Sequence, residues 1–261
     1  RMIAALRYEW VRVSTVRSTR VAVILCFLSI GLIAWAASAP TYTEFDQNGP
    51  VGDPTVEWWG AFSQPTLLTA IFASVVVSQN IGQEYRFGLI RLTLTAFPQR
   101  PRILTAKLVS VVATGLVFAA VSYAASWIGV TLRGYPTPPS VAAPGDPALL
   151  LRGAVFLVLW SLSAWALAGI TRQTAIGIAV PVVSGLIVEQ ILGGVLAEKA
   201  PWVQDVLPWS NATRWFSEPT VVPEGIDQNF PPVGWAALGV FSVWVLVLVV
   251  LEIVAFLRRD A

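Results

Sequence analysis

Residues 82–107 read GQEYRFGLIRLTLTAFPQRPRILTAK, a basic, proline-punctuated segment between two long apolar runs. Arg86, Arg91, Arg100, Arg102 and Lys107 all fall inside it. If the flanking runs cross a membrane, this excess of arginine and lysine assigns the segment to the cytoplasmic side. A compact basic loop of this kind is either a topology anchor or a docking element that takes up force from a soluble partner. The rest of the chain has to decide between the two.

Working outward, six stretches reach or approach the roughly 20 apolar residues needed to cross about 30 Å of hydrocarbon. They lie near 20–39, 64–82, 103–131, 149–170, 174–197 and 233–257. Composition agrees: of 261 residues, 56% are hydrophobic and only 12% charged, more apolar surface than a water-soluble domain of this size can hide. The expected fold is an all-α membrane protein with six transmembrane helices, forming a single transmembrane domain over 1–261. The net charge of +2 says little about partners, because the position of each charge matters more than the sum. The single cysteine, Cys26, excludes an intrachain disulfide framework and reads as a small packing residue within the first span.

The basic residues are distributed unevenly. Arg1, Arg7, Arg12, Arg17 and Arg20 precede or open the first span, Arg172 sits in the turn before the fifth, and Arg258 and Arg259 follow the sixth. Together with the 82–107 cluster they share one side, leaving Arg133, Arg152, Lys199 and Arg214 opposite. Both termini are therefore expected in the cytoplasm.

Residues 1–19 form a helix of another kind. Ile3, Leu6, Trp10 and Val13 recur at helical spacing on one face while Arg1, Arg7 and Arg12 point elsewhere, so the helix is expected to lie flat in the inner headgroup layer. On the other side, residues 40–63 and 198–232 are long and rich in proline and tryptophan, with Trp58, Trp59, Trp202, Trp209 and Trp215 among them. That composition predicts interfacial or re-entrant segments at headgroup level. Asn211-Ala212-Thr213 matches a glycosylation acceptor, a short pattern that carries weight only in a secretory context.

The absent residue types narrow the chemistry. With no histidine and one cysteine, neither a Ser-His-Asp or Cys-His centre nor a familiar zinc site can be assembled. The two lysines, Lys107 and Lys199, do not follow a glycine-rich phosphate loop, so ATP-driven work requires another subunit. No cofactor or metal is expected in this chain. Two carboxylates fall inside expected spans, Glu189 in the fifth and Glu252 in the sixth. Ionisable groups at that depth cost about 2.5–3.5 kcal/mol on insertion scales and face protein or water. Glu189 is read as a cavity group or a structural partner. Glu252, less than two turns from Arg258, is read as snorkelling to the interface or as a functional group. Pro181 is expected to kink the fifth span.

The string Gln83-Glu84-Tyr85-Arg86-Phe87-Gly88-Leu89-Ile90-Arg91, followed by Thr93-Leu94-Thr95, Pro98, Arg100 and Ala106-Lys107-Leu108, resembles the loop between spans two and three of ABC-2 type transporter permeases. The likeness runs the full length of the chain, through the amphipathic first helix, the six spans, the cytoplasmic termini and a re-entrant region between spans five and six. In that family a glutamate followed four residues later by glycine opens the loop, and a proline, an arginine and a lysine close it. Glu84, Gly88, Pro98, Arg100 and Lys107 fit the pattern.

The resemblance implies the permease subunit of a bacterial ABC exporter in the cytoplasmic (inner) membrane. Two such subunits, identical or homologous, would enclose a cavity above two copies of a separate ATPase that binds ATP and magnesium. Residues 83–102 would be the coupling loop, with Glu84, Arg86, Gly88, Arg91, Pro98, Arg100 and Lys107 serving the ATPase. Spans two and five would supply the cavity wall, with Ser74, Ser78, Ser184 and Glu189 as its polar members, and the cargo would be amphiphilic. Gly88 suits a tight turn, Pro98 a helix stop, and Phe87, Leu89, Ile90 and Leu92 alternating with arginines an amphipathic piece parallel to the membrane. The competing class is an ion-coupled secondary transporter or channel using Glu189, which would favour an inverted repeat that the two halves do not display.

Overall fold

The computed structural model describes residues 2–38, 44–46, 49–51, 58–96, 99–133, 149–196, 199–200, 202–217 and 235–258. Nearly all of these residues are helical. The helices are α1 (Met2–Thr15), α2 (Arg17–Ala37), α3 (Trp58–Arg86), α4 (Leu89–Ala96), α5 (Arg100–Leu132), α6 (Leu149–Thr171), α7 (Thr174–Val183), α8 (Glu189–Leu196), α9 (Trp202–Val206), α10 (Pro208–Ser217) and α11 (Trp235–Arg258). Between α2 and α3 a small antiparallel hairpin pairs Glu44–Asp46 with Gly49–Val51.

Among the described residues, six helical stretches are long and apolar enough to cross a membrane: Arg17–Ala37, Thr66–Arg86, Arg100–Leu132, Leu150–Thr171, Thr174–Leu196 and Trp235–Arg258. They coincide with the expected spans apart from their ends. Span three, at 33 residues, is about 50 Å long and overshoots the hydrocarbon. The expected loop over 83–102 is also largely helical, because α3 continues to Arg86 and α5 begins at Arg100. Pro101 fits there because the first helical positions have no N–H bond to lose. Trp58 and Trp59, expected in a loop, open α3 instead.

Span four, α6, is the central post of the bundle and packs against α3, α5, α7 and α11. Its side chains combine bulk with near absence, with Trp160 and Trp165 fully buried, Ser161 and Ala164 between them, and Ala166 and Ala168 following. Small residues let the helix axes approach, and in hydrocarbon this close packing substitutes for a hydrophobic drive. A Cβ at Gly177 of α7 would collide with Ser78 of α3 and with Ala164 and Ala168 of α6. Gly129 of α5 lies equally tightly against Gly31 of α2. Cys26 is fully buried on α2, as a packing residue should be. The outward faces of α2 and α11 expose Ile24, Leu28, Leu32, Val243, Leu246 and Val250, a surface suited to lipid and not to water.

Span five is not a regular helix. After Pro181 it passes through a π-helical segment, Ser184–Val188, before resuming as α8. Proline removes one backbone donor and the wider π turn absorbs the misfit.

Candidate functional site

The segment joining spans two and three is a turn, a short helix and a second join. Gly88 carries φ of 66° between α3 and α4, the left-handed geometry that its place in the sequence predicted. A Cβ at Gly88 would touch nothing within 4 Å, so the need for glycine there comes from the backbone alone. Beyond the turn, α4 buries Ile90 and Thr93 and exposes Leu89 and Leu92, with Phe87 of the turn and Arg86 exposed beside them. Tyr8 of α1 and Thr93 approach within hydrogen-bonding distance, 3.4 Å. Arg91 lies on α4 with its side chain outside the described residues, as is Pro98.

Arg100 is not a free surface cation. Its Nη1 donates to the Leu257 carbonyl at 3.1 Å, so it caps the last turn of span six, where a cation is favoured. The turn before span five is drawn to the same end of the bundle. Arg172 adopts φ of 59°, unusual for a residue other than glycine, and its guanidinium lies 5.3 Å from the Tyr85 ring centre.

Beneath the segment lies a ring of four charges. Lys107 Nζ of α5 meets Glu84 Oε1 of α3 at 2.6 Å and Glu9 Oε1 of α1 at 3.1 Å. Arg12 of α1 closes the ring, pairing with Glu9 at 2.8 Å and with Glu84, and it also donates to the Asn80 side chain. Positive and negative groups alternate around it. The Glu9, Glu84 and Lys107 side chains are at most 2% exposed and that of Arg12 is 17% exposed. Burial lowers the Arg12 pKa from its usual value while Glu9 works against that shift, and a guanidinium stays charged regardless.

Three sequence expectations change here. Arg12, expected to point away from the apolar face of a helix in the headgroup layer, turns inward because two carboxylates, Glu9 and Glu84, offer it charge-assisted bonds. Glu84 and Lys107, matched to the coupling motif, are sealed inside the chain and hold the ends of spans two and three together, so neither presents a surface to a partner. The face α1 applies to the bundle centres on Ala5 and Glu9, while Ile3 and Trp10 of the expected apolar stripe remain exposed. Glu9 was missed altogether. Its signal was present, since it is the only acid before Glu44 and stands three residues from an arginine in a helix.

At the far end of the bundle, Glu189 receives the N-terminus of α10. Its oxygens accept backbone N–H bonds from Trp209 at 3.3 Å and Ser210 at 2.5 Å. This pins the short helices α9 and α10 to span five and compensates the free amides of a helix start. Gln204 adds a second tie by donating to the Gly193 carbonyl at 2.8 Å, and Gly185 is bare where Trp209 packs. Between α9, α10, α8 and α11 an apolar cleft of about 390 Å³ is lined by Trp202, Trp209, Phe241 and Trp244, with Glu189 among its walls.

The serines named with Glu189 as polar members of a cavity wall occupy different places in the chain. Ser74 accepts a bond from Trp160 Nε1 at 2.9 Å and Ser78 reaches the Ala164 carbonyl at 3.4 Å, so both are buried between helices; Ser184 is half-buried in the π segment. Glu252 does not snorkel: it is fully buried against Gly169 of span four, whose missing side chain leaves room for the carboxyl group. Asn211 is buried, with its amide donated to the Gln204 and Leu207 carbonyls, and is therefore no glycosylation acceptor. Among the described residues no group of acids and cysteines could hold a metal ion.

The sequence model of the family described as ABC-2 family transporter protein matches residues 14–261. No curated protein matches the chain.

Proposed function

The chain belongs to the ABC-2 transporter family, and from that premise we propose that it is the membrane subunit of an ATP-driven exporter, with α4 as the element that docks on the ATPase. Membership makes the chain a multi-pass permease and implies an ABC ATPase partner. Two permease subunits, identical or homologous, stand on two ATPase copies that bind ATP and magnesium. The basic end of the bundle and both termini face the cytoplasm of a bacterium, and cargo leaves outward.

The observation that carries this reading is the build of α4. It is an eight-residue helix hung between two spans on a left-handed glycine turn, showing Leu89 and Leu92 outward beside the exposed Arg86 and Phe87 that precede it, at the basic end of the bundle. An exposed apolar strip beside the exposed Arg86 fits a groove on a soluble partner. Glu189 is engaged by two backbone amides, an arrangement that favours a pin over an exchanging proton site.

Gly88→Val is expected to strain the turn by about 1–2 kcal/mol and misplace α4, the strain being local to the backbone because a Cβ there meets no other part of the chain within 4 Å. Arg86→Glu with Arg91→Glu should weaken docking, more strongly as ionic strength falls. The measurement is recovery of an ATPase with the affinity-purified permease. Full recovery of an active complex from all of these variants would reduce the segment to a topology anchor. Orientation has a separate test. Cysteines placed beside Asp53 and Glu224 should react with an impermeant thiol reagent in intact cells, and those beside Arg100 and Arg258 only after permeabilisation. Labelling from outside near Arg100 would overturn the cytoplasmic assignment and the docking reading with it.

A further inference from the structure

We infer that Glu9 and Arg12 are positioning residues for coupling: through the charge ring they make α1 part of the rigid body that carries α4, so the N-terminal helix moves with the docking element. This rests on the exporter reading above. Three elements contribute to the ring, and only α1 supplies both a cation and an anion. Its Glu9 answers Lys107 of span three and its Arg12 answers Glu84 of span two, so α1 bridges the ends of the two helices from which α4 hangs. Tyr8 extends the bridge to Thr93 on α4 itself, and Ala5 is buried in the same apolar cluster as Ile90. A helix that only floats on the headgroups needs none of these contacts. A buried alternating ring also has one satisfactory register, because sliding α1 by a residue turns Glu9 and Arg12 off their partners and leaves Lys107 and Glu84 without them in a low-dielectric site.

Glu9→Gln combined with Arg12→Gln provides the direct test. It removes one charge of each sign and leaves the Lys107–Glu84 pair intact on the spans, so charge balance survives while α1 loses its ties. Spin labels at Trp10→Cys and Thr95→Cys, both exposed positions and the second outside the docking strip, report the distance from α1 to α4. In lipid discs the otherwise unaltered permease should give a narrow distance peak, and in complex with its ATPase that peak should stay unchanged between nucleotide-free and ATP-vanadate-trapped states. The double variant should lose the narrow peak, and the complex should lose the ATP-driven movement of α1 while still hydrolysing ATP.

Charge exchange separates positioning from packing. Glu84→Lys with Lys107→Glu keeps a pair between the spans but turns like charges against both α1 groups, and should also broaden the peak. Adding Glu9→Lys and Arg12→Glu restores alternation and should sharpen it again, whereas a packing role predicts that four substitutions disturb more than two. A peak that shifts with nucleotide without the ring substitutions, or that stays narrow in the double variant, overturns the inference. Absence of any bound ATPase would strike at the exporter reading alone, since label distances in the permease by itself still decide whether the ring holds α1.

Discussion

Lys107→Met should be among the most damaging single substitutions in this chain. It leaves Glu9 and Glu84 buried with only Arg12 between them, an uncompensated negative charge, and breaking a buried pair in this way costs about 3–5 kcal/mol. Folded permease recovered in mild detergent should fall sharply and the midpoint of thermal unfolding should drop. Adding Glu9→Gln should recover part of the loss by restoring one carboxylate to one cation, a gain that independent sites would not show. If Lys107→Met unfolds like the unaltered protein, the ring contributes no charge pairing. The ring is not thereby a large net source of stability, since desolvating four charged groups offsets much of their mutual attraction. Its physical effect is on register, because few other arrangements of α1, span two and span three satisfy all four groups.

Glu189→Gln is the second large effect, expected in the α9–α10 pair and not in the spans. A carboxylate accepts from both Trp209 and Ser210, whereas an amide presents one acceptor and one donor, so one backbone N–H of α10 faces an N–H₂ group. Orphaning a buried donor costs about 1–3 kcal/mol, and loss of negative charge at a helix start adds about 0.3–1 kcal/mol. Hydrogen exchange at residues 209–212 should accelerate while that of spans three and four stays slow. Unaltered exchange there would mean that the carboxylate is not the pin.

The spans could be read from sequence because hydrocarbon imposes a local rule: each must satisfy its own backbone and expose apolar side chains along some 20 residues. Gly88 was legible for a similar reason, since a positive φ is a property of one residue and its two neighbours. The ring was not. Glu9 and Lys107 are distant in sequence, and no local rule says which of the arginines of the first segment will turn inward; that choice is made where α1 meets two other helices. Glu252 was misread because its short distance from Arg258 says how deep it sits and nothing about which neighbour it faces, which Gly169 decides from another helix. Ser74 and Ser78 looked like cavity groups because small polar residues serve equally well to line a pore and to let helices touch. Here they do the second.

The π segment in span five has a consequence for the numbering of the chain itself. A π turn holds one residue more than an α turn, and each residue advances a helix by about 100°. The stretch Glu189–Leu196 is therefore out of phase with Thr174–Val183 by one step, and that offset aims the Glu189 carboxylate at α10. Substitutions within Ser184–Val188 leave the count unchanged. Deleting one residue there would let the span close into a continuous α-helix and swing every later side chain by about a quarter turn, carrying Glu189 off the start of α10 and turning Ile191 and Val195 away from the faces they now expose. In this span the number of residues, as much as their identity, is what the fold encodes.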